Sequence, residues 1–236
     1  MTPRKTDKSA RTRHNLIATA ERLFAVHGID AVSLNRIARE ARQRNASVIQ
    51  YHFGTKGALI AAIFEPRLKQ ANQRRIELLS RIDTSDRAEG LRRLARAMVL
   101  PMAEHLGQEG GSNYIRFARQ VYSNPRLEMF DLIRGRHNSG MRDARWVAQE
   151  ILSDLSMTVV RHRLDLVTNL IFHSFADRET MRAAGKRTGV AGMETDEFIA
   201  DLTAMIVSAL DAPVSDRKPD EKTESATPAR RAASTT

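Results

Sequence analysis

Apolar residues along this chain recur three and four positions apart almost from end to end, and nowhere alternate with the period of two that marks a half-buried strand. Leu16, Ile17, Ala20, Leu23 and Phe24 set out the buried face of a helix over residues 9–27, which Gly28 stops as a left-handed cap. Leu34, Ile37, Ala38 and Ala41 make a narrower stripe on a second, shorter helix that Ser33 can N-cap through its hydroxyl. Small Ala38 and Ala41 leave room for another helix to cross close to the backbone. A turn of Arg42, Gln43 and Arg44 follows, then a third helix that Asn45 or Ser47 can cap. Its pattern is read with Val48, Tyr51 and Phe53 inward, leaving Asn45, Ser47, Ile49, Gln50 and His52 toward solvent or a groove. Residues 33–53 therefore read as two short helices joined by a tight basic turn, the arrangement whose second helix a DNA major groove admits.

The rest of the chain is also helical. Thr55 can cap a long helix reaching about residue 82, with Ala58, Leu59, Ala62, Ile63 and Phe64 buried and Pro66 predicting a kink over residues 62–65. Residues 85–106 carry Leu91, Leu94, Ala95, Met98 and Val99, with Pro101 late in the run; a break over 107–111 separates them from a shorter helix over 112–122. Pro125 suits the first turn of a helix over 125–155, broken near Gly135 or Gly140. The last two long helices span 157–184 and 195–210. On the first, Val160, Leu164, Val167, Ile171 and Phe175 share one face; on the second, Phe198, Ile199, Leu202, Met205, Ile206, Ala209 and Leu210 form a broad one. These faces either close the monomer's own core or meet a second copy. Pairing of two copies is the preferred reading, because helix-turn-helix proteins generally use two half-sites. The fold class is all-α.

Charge sharpens this picture. Of a net +10, residues 1–53 hold ten Lys or Arg against four acids, residues 54–211 hold 23 against 20, and residues 212–236 hold five against four. More than half the excess sits on the segment singled out by pattern, a coincidence that favours a phosphate footprint over the common alternative of a generic solvated face. Absence of cysteine excludes disulfides and thiolate metal sites, and no apolar run approaches a membrane span, so a cytoplasmic protein is expected.

Ser33, the Ile37-Ala38 pair, the Tyr51-His52-Phe53 close and Lys56 just beyond it resemble the helix-turn-helix of the TetR-type family of transcriptional regulators, over roughly residues 10–65. Arg42 departs from that pattern, standing where the family often has Gly, in a turn one residue longer than usual. Pairing of Asn and Gln with adenine edges, and of Ser, Tyr and Lys with phosphates, makes Ser33, Arg44, Asn45, Ser47, Gln50, Tyr51, His52 and Lys56 the candidate DNA contacts. The resemblance implies a homodimeric repressor, released from a palindromic operator on double-stranded DNA by a small-molecule effector, with no cofactor. It divides the chain into a disordered basic arm (1–8), a three-helix DNA-binding unit (9–54), a helical effector-binding and dimerisation domain (55–211) and a disordered tail (212–236). It places the effector pocket between about Leu91 and Phe175, with Met98, Tyr114, Phe117, Tyr122, Trp146 and Phe172 as candidate walls. Arg92, Arg96, Arg116 and Arg119 are either solvated or able to hold an anionic effector.

Two rival readings stay open: a non-switching architectural DNA binder, and a helical metal-dependent enzyme. The second rests on His162, Asp165, Asn169 and His173, which share a polar helix face; the two histidines are three turns apart, too far for one ion without other helices. Phosphate loops, nucleophile motifs and close acid pairs are absent, so catalysis is not expected.

Overall fold

The computed structural model describes residues 5–107, 111–124 and 139–214, which form nine α-helices and no strand. They are α1 (Lys5–His27), α2 (Leu34–Glu40), α3 (Ser47–Phe53), α4 (Lys56–Leu79), α5 (Arg87–Ala103), α6 (Gly111–Tyr122), α7 (Ser139–Ile151), α8 (Met157–Ala183) and α9 (Thr195–Leu210), with a 3-10 turn at Gly189–Ala191. Among the described residues, no helix is long and apolar enough to cross a membrane.

Side chains that compete with the backbone in mid-helix set several of the starts. The hydroxyl of Ser33 accepts from the Arg36 amide at 3.2 Å, that of Thr55 from Ala58 at 3.0 Å and that of Ser156 from Val159 at 3.3 Å, while the Asp86 carboxylate accepts from Glu89 at 3.0 Å. Gly28, with φ at 83°, closes α1. Helix α1 begins at Lys5, inside the stretch expected as a free arm. Helix α4 runs through Pro66 without interruption.

Helices α1, α2 and α3 form a head that α4 joins to a body of α5, α7, α8 and α9, and α6 lies between the two, packed on α1 on one side and α8 on the other. One continuous core runs through both parts. At the junction, Phe117 of α6 stacks on Phe24 of α1 with centroids 5.9 Å apart and meets Phe64 of α4 at 4.9 Å. All three rings are fully buried.

Two expectations about which faces are buried change. The α8 row of Val160, Leu164, Val167, Ile171 and Phe175, and Phe198, Leu202, Ile206 and Leu210 of α9, are buried in the monomer's own core. Their helices pack on α5, α6 and α7, which uses those faces before a second copy could. Exposed apolar side chains on this part of the body are instead Trp146, Met157, Leu166 and Met205. In α3, Ile49 is the fully buried residue and Tyr51 is 81% exposed, the reverse of the sequence reading. The first half of the helix expected over 125–155, and the tail beyond residue 214, lie outside the described residues. Helix α7 starts at Ser139, where Gly140 lets α4 approach: its amide donates to Asn72 Oδ1 at 2.8 Å, and a Cβ there would sit 3.2 Å from the Asn72 carbonyl oxygen.

Candidate nucleic-acid interface

The turn between α2 and α3 is built by hydrogen bonds. Past Ala41, the Gln43 amide reaches back to the Ala38 carbonyl at 2.8 Å and the Arg42 amide to Arg39 at 3.1 Å, the paired bonds of a Schellman motif. That motif needs a left-handed residue, and Arg42 supplies it at φ 58°. This explains why the position resembles one usually held by glycine. The Ala41 carbonyl is held further by Asn15 of α1 at 3.0 Å and by the Gln43 side chain at 3.1 Å. Asn15, which pins the turn onto α1, gave no periodic signal in the sequence.

At the start of α3, Ala46 holds the cap position without a side-chain bond, and the Asn45 carboxamide oxygen accepts from the Ser47 amide at 3.1 Å and from the Ser47 hydroxyl. With Ile49 locked into the core and Phe53 under the Arg13 guanidinium at 5.1 Å, Ser47, Gln50 and Tyr51 are left exposed on the outer side. His52 is half-buried edge-on to Tyr51; burial, then the nearby Arg13 charge, holds its imidazole below the usual histidine range.

The flanking basic residues divide into two groups. Arg22 and Arg36 pair with Glu40 at 2.9 and 3.7 Å, and Arg36 also meets His27 at 2.7 Å. Among the described residues, no acid pairs with Arg39, Arg42 or Arg44, all exposed. Ser33 is exposed, its hydroxyl engaged in capping. Lys56 is turned inward: its ammonium donates to the carbonyls of Ile29 at 2.6 Å and Val32 at 2.7 Å, lies 5.6 Å from the Phe24 ring centroid, and is held by burial below the usual lysine range. Two of its three N–H donors thus tie the α1–α2 link to α4.

A cavity of about 80 Å³ lies in the body where α4, α5, α6, α7 and α8 converge. Met98, Tyr114, Tyr122 and Phe172 line it, with Tyr122 and Phe172 stacked at 3.8 Å. The other two candidate walls are elsewhere: Trp146 is 65% exposed and Phe117 belongs to the head-body stack. Arg92 bonds Glu89, Arg116 bonds Asn113 and Arg119 bonds Asp177. Arg92 and Arg96 border a separate open groove between α5 and α9. Arg75, which sequence reasoning passed over, lines the body cavity together with Leu68 and Ala71. Its spacing of seven and four from those residues is the signal that could have found it, a cation on an apolar stripe. Nothing like a metal centre accompanies these features: among the described residues, no three His, Asp or Glu side chains come together to hold an ion. His173 bonds the Asn169 carbonyl at 2.9 Å, and Asp165 faces Arg145 at 3.9 Å.

Residues 16–63 match the model for bacterial regulatory proteins of the tetR family, and residues 96–209 match that for a tetracyclin repressor-like C-terminal domain. Among solved structures, a HlyIIR mutant protein is 16% identical with a TM-score of 0.53, over 89% of this chain and 97% of its own. A transcriptional regulator from Saccharomonospora viridis in complex with choline is 20% identical with a TM-score of 0.51, over 84% of this chain and 96% of its own. The regulator FadR from Bacillus subtilis in complex with stearoyl-CoA is 15% identical with a TM-score of 0.52, over 86% of this chain and 99% of its own. No curated protein matches the chain significantly.

Proposed function

Because this chain belongs to the tetR family of bacterial regulatory proteins, DNA-binding regulators of transcription with a helix-turn-helix, we propose that it acts as a homodimeric repressor released from a palindromic operator by a small-molecule effector. The observation that carries this reading is the outer side of α3, where Ser47, Gln50 and Tyr51 stand exposed on a helix anchored from behind by Ile49. A helix so held offers amide and hydroxyl groups to base edges and phosphates without further ordering. Arg39, Arg42 and Arg44 beside it supply the salt-dependent attraction to backbone phosphates. Two copies would present two such helices to half-sites about 34–36 Å apart or a multiple of that.

Helix α6 supports the switching part of the proposal. Tyr114 and Tyr122 on it line the body cavity, while Phe117 on the same helix stacks against α1 of the head. A ligand that favours one position of α6 therefore favours one position of α1, and shifts the population of DNA-competent dimers. The complexes with choline and stearoyl-CoA show that proteins of this fold hold ligands of very different chemistry, so the effector of this chain has to be argued from its own cavity.

Selection of bound sequences from random duplex DNA, followed by release of the selected duplex by metabolites, tests the whole reading. A two-fold-symmetric consensus with release by one ligand class is the expected result. A protein that selects no sequence, or that no ligand releases, would instead be the architectural binder.

A further inference from the structure

Arg75 is held where a cation is costly. Its Nε is buried and makes no hydrogen bond, and no carboxylate pairs with its guanidinium among the described residues. The arginines nearby on α4 are neutralised: Arg67 faces Glu21 at 3.7 Å and Arg74 bonds Glu104 at 2.7 Å. Guanidinium does not lose its proton in proteins, so one that is half-buried with no counter-ion beside it leaves its positive charge uncompensated. Desolvation of its charged form holds its pKa below the usual arginine range.

The cavity that Arg75 lines has the complementary makeup for an anion with an apolar body. Among the described residues, no acidic side chain lines it. Tyr114 and Tyr122 stay protonated, Tyr122 pushed up to about 12 by burial, and so bring hydroxyl donors to the wall. Met98, Met102, Met141 and Phe172 supply apolar surface, and methionine adapts readily to an irregular guest. At about 80 Å³ the space is roughly half the ~150 Å³ that takes benzene, which limits the guest to a few carbons.

We propose that this cavity binds a short-chain monocarboxylate, its carboxylate seated on Arg75 and its hydrocarbon part among the methionines and Phe172. The assignment rests on reading the helical body as the effector domain, and it adds the chemical class of the effector.

The test uses the full chain with butyrate, 1-butanol and inorganic phosphate at matched ionic strength, by calorimetry and thermal melting, on the natural protein, Arg75→Met and Arg75→Lys. Butyrate should bind and raise the melting temperature, 1-butanol should bind at least ten-fold more weakly, and Arg75→Met should lose butyrate at least ten-fold while Arg75→Lys keeps part of it. Without ligand, Arg75→Met should melt no lower than the natural protein, since it removes the unpaired charge. Should that variant fail to fold, butyrate against 1-butanol on the natural protein decides. Equal binding of the two, undiminished butyrate binding by Arg75→Met, or preference for phosphate would overturn the assignment. Butyrate that binds through Arg75 without releasing operator DNA would support the ligand class and refute the release step of the proposed function.

Discussion

Arg42 carries the head through its tightest turn in a left-handed conformation, φ 58°, which costs a side-chain-bearing residue about 1–2 kcal/mol. Because its amide and that of Gln43 both close the Schellman motif, the conformation is held from either side. Arg42→Gly should therefore be neutral or stabilising by up to about 1 kcal/mol, the relief of strain being partly offset by a more flexible unfolded chain. Arg42→Ile should lower stability by about 1–2 kcal/mol, since a β-branched residue is a true outlier there; chemical denaturation measures both. Lys56 makes a similar point about side chains. A lysine beyond a helix-turn-helix reads as a phosphate contact, but this one spends two donors on the carbonyls of Ile29 and Val32. Lys56→Ala should cost about 1–2 kcal/mol of stability in the absence of any DNA, seen as a lowered melting temperature. Unaltered melting would return Lys56 to a purely external role.

Among the elements, α3 and α6 decide what the head can do. Helix α3 is seven residues long, too short for its periodicity to choose between Tyr51 and Ile49 as the residue buried beside Val48 and Phe53. Burial of Ile49 chooses, and it turns Gln50 and Tyr51 outward together. If Gln50 reads a base, Gln50→Ala should weaken the selected duplex by about 1–3 kcal/mol and leave random DNA nearly unaffected, in parallel binding titrations. Equal losses on both duplexes would remove it from base reading. Helix α6 bears on the other end of the same function. Phe117 fills the space between Phe24 and Phe64, so Phe117→Ala should cost about 3–5 kcal/mol by denaturant titration, as for other buried aromatic truncations. In the surviving folded fraction, ligand binding in the body should no longer alter affinity for DNA.

At the scale of the whole molecule, the proposed pairing of two copies has to use surface that the monomer leaves uncovered. The strongest apolar faces of α8 and α9 are consumed inside the monomer, leaving Leu166 at 69% and Met205 at 52% exposure as candidates for a second copy to cover. Leu166→Glu combined with Met205→Glu should shift sedimentation from dimer to monomer with little loss of helix content, and should abolish preference for two-fold sites over half-sites. A dimer that survives both changes would place the contact elsewhere on the body. In a monomeric variant, the excess of basic residues at the N-terminal end would still attract each copy to DNA, at the affinity of one half-site alone.

Read alone, the sequence determined the all-α class, most of the helix bounds, the capping roles of Ser33, Thr55 and Gly28 and the place of the helix-turn-helix. Each of these depends on residues near one another in the chain, where apolar spacing and backbone-competing side chains act directly. Of the candidate cavity walls, Met98, Tyr114, Tyr122 and Phe172 do gather around one space. Tertiary structure alone decided which side of α3 points in, that Asn15 pins the turn, that Lys56 faces inward, that Trp146 lies outside, and that Arg75 sits unpaired in the cavity. Helical spacing marks a face as apolar or polar but not which partner covers it. That depends on helices far away in sequence, and their packing settles which groups find a partner and which are left to meet a ligand.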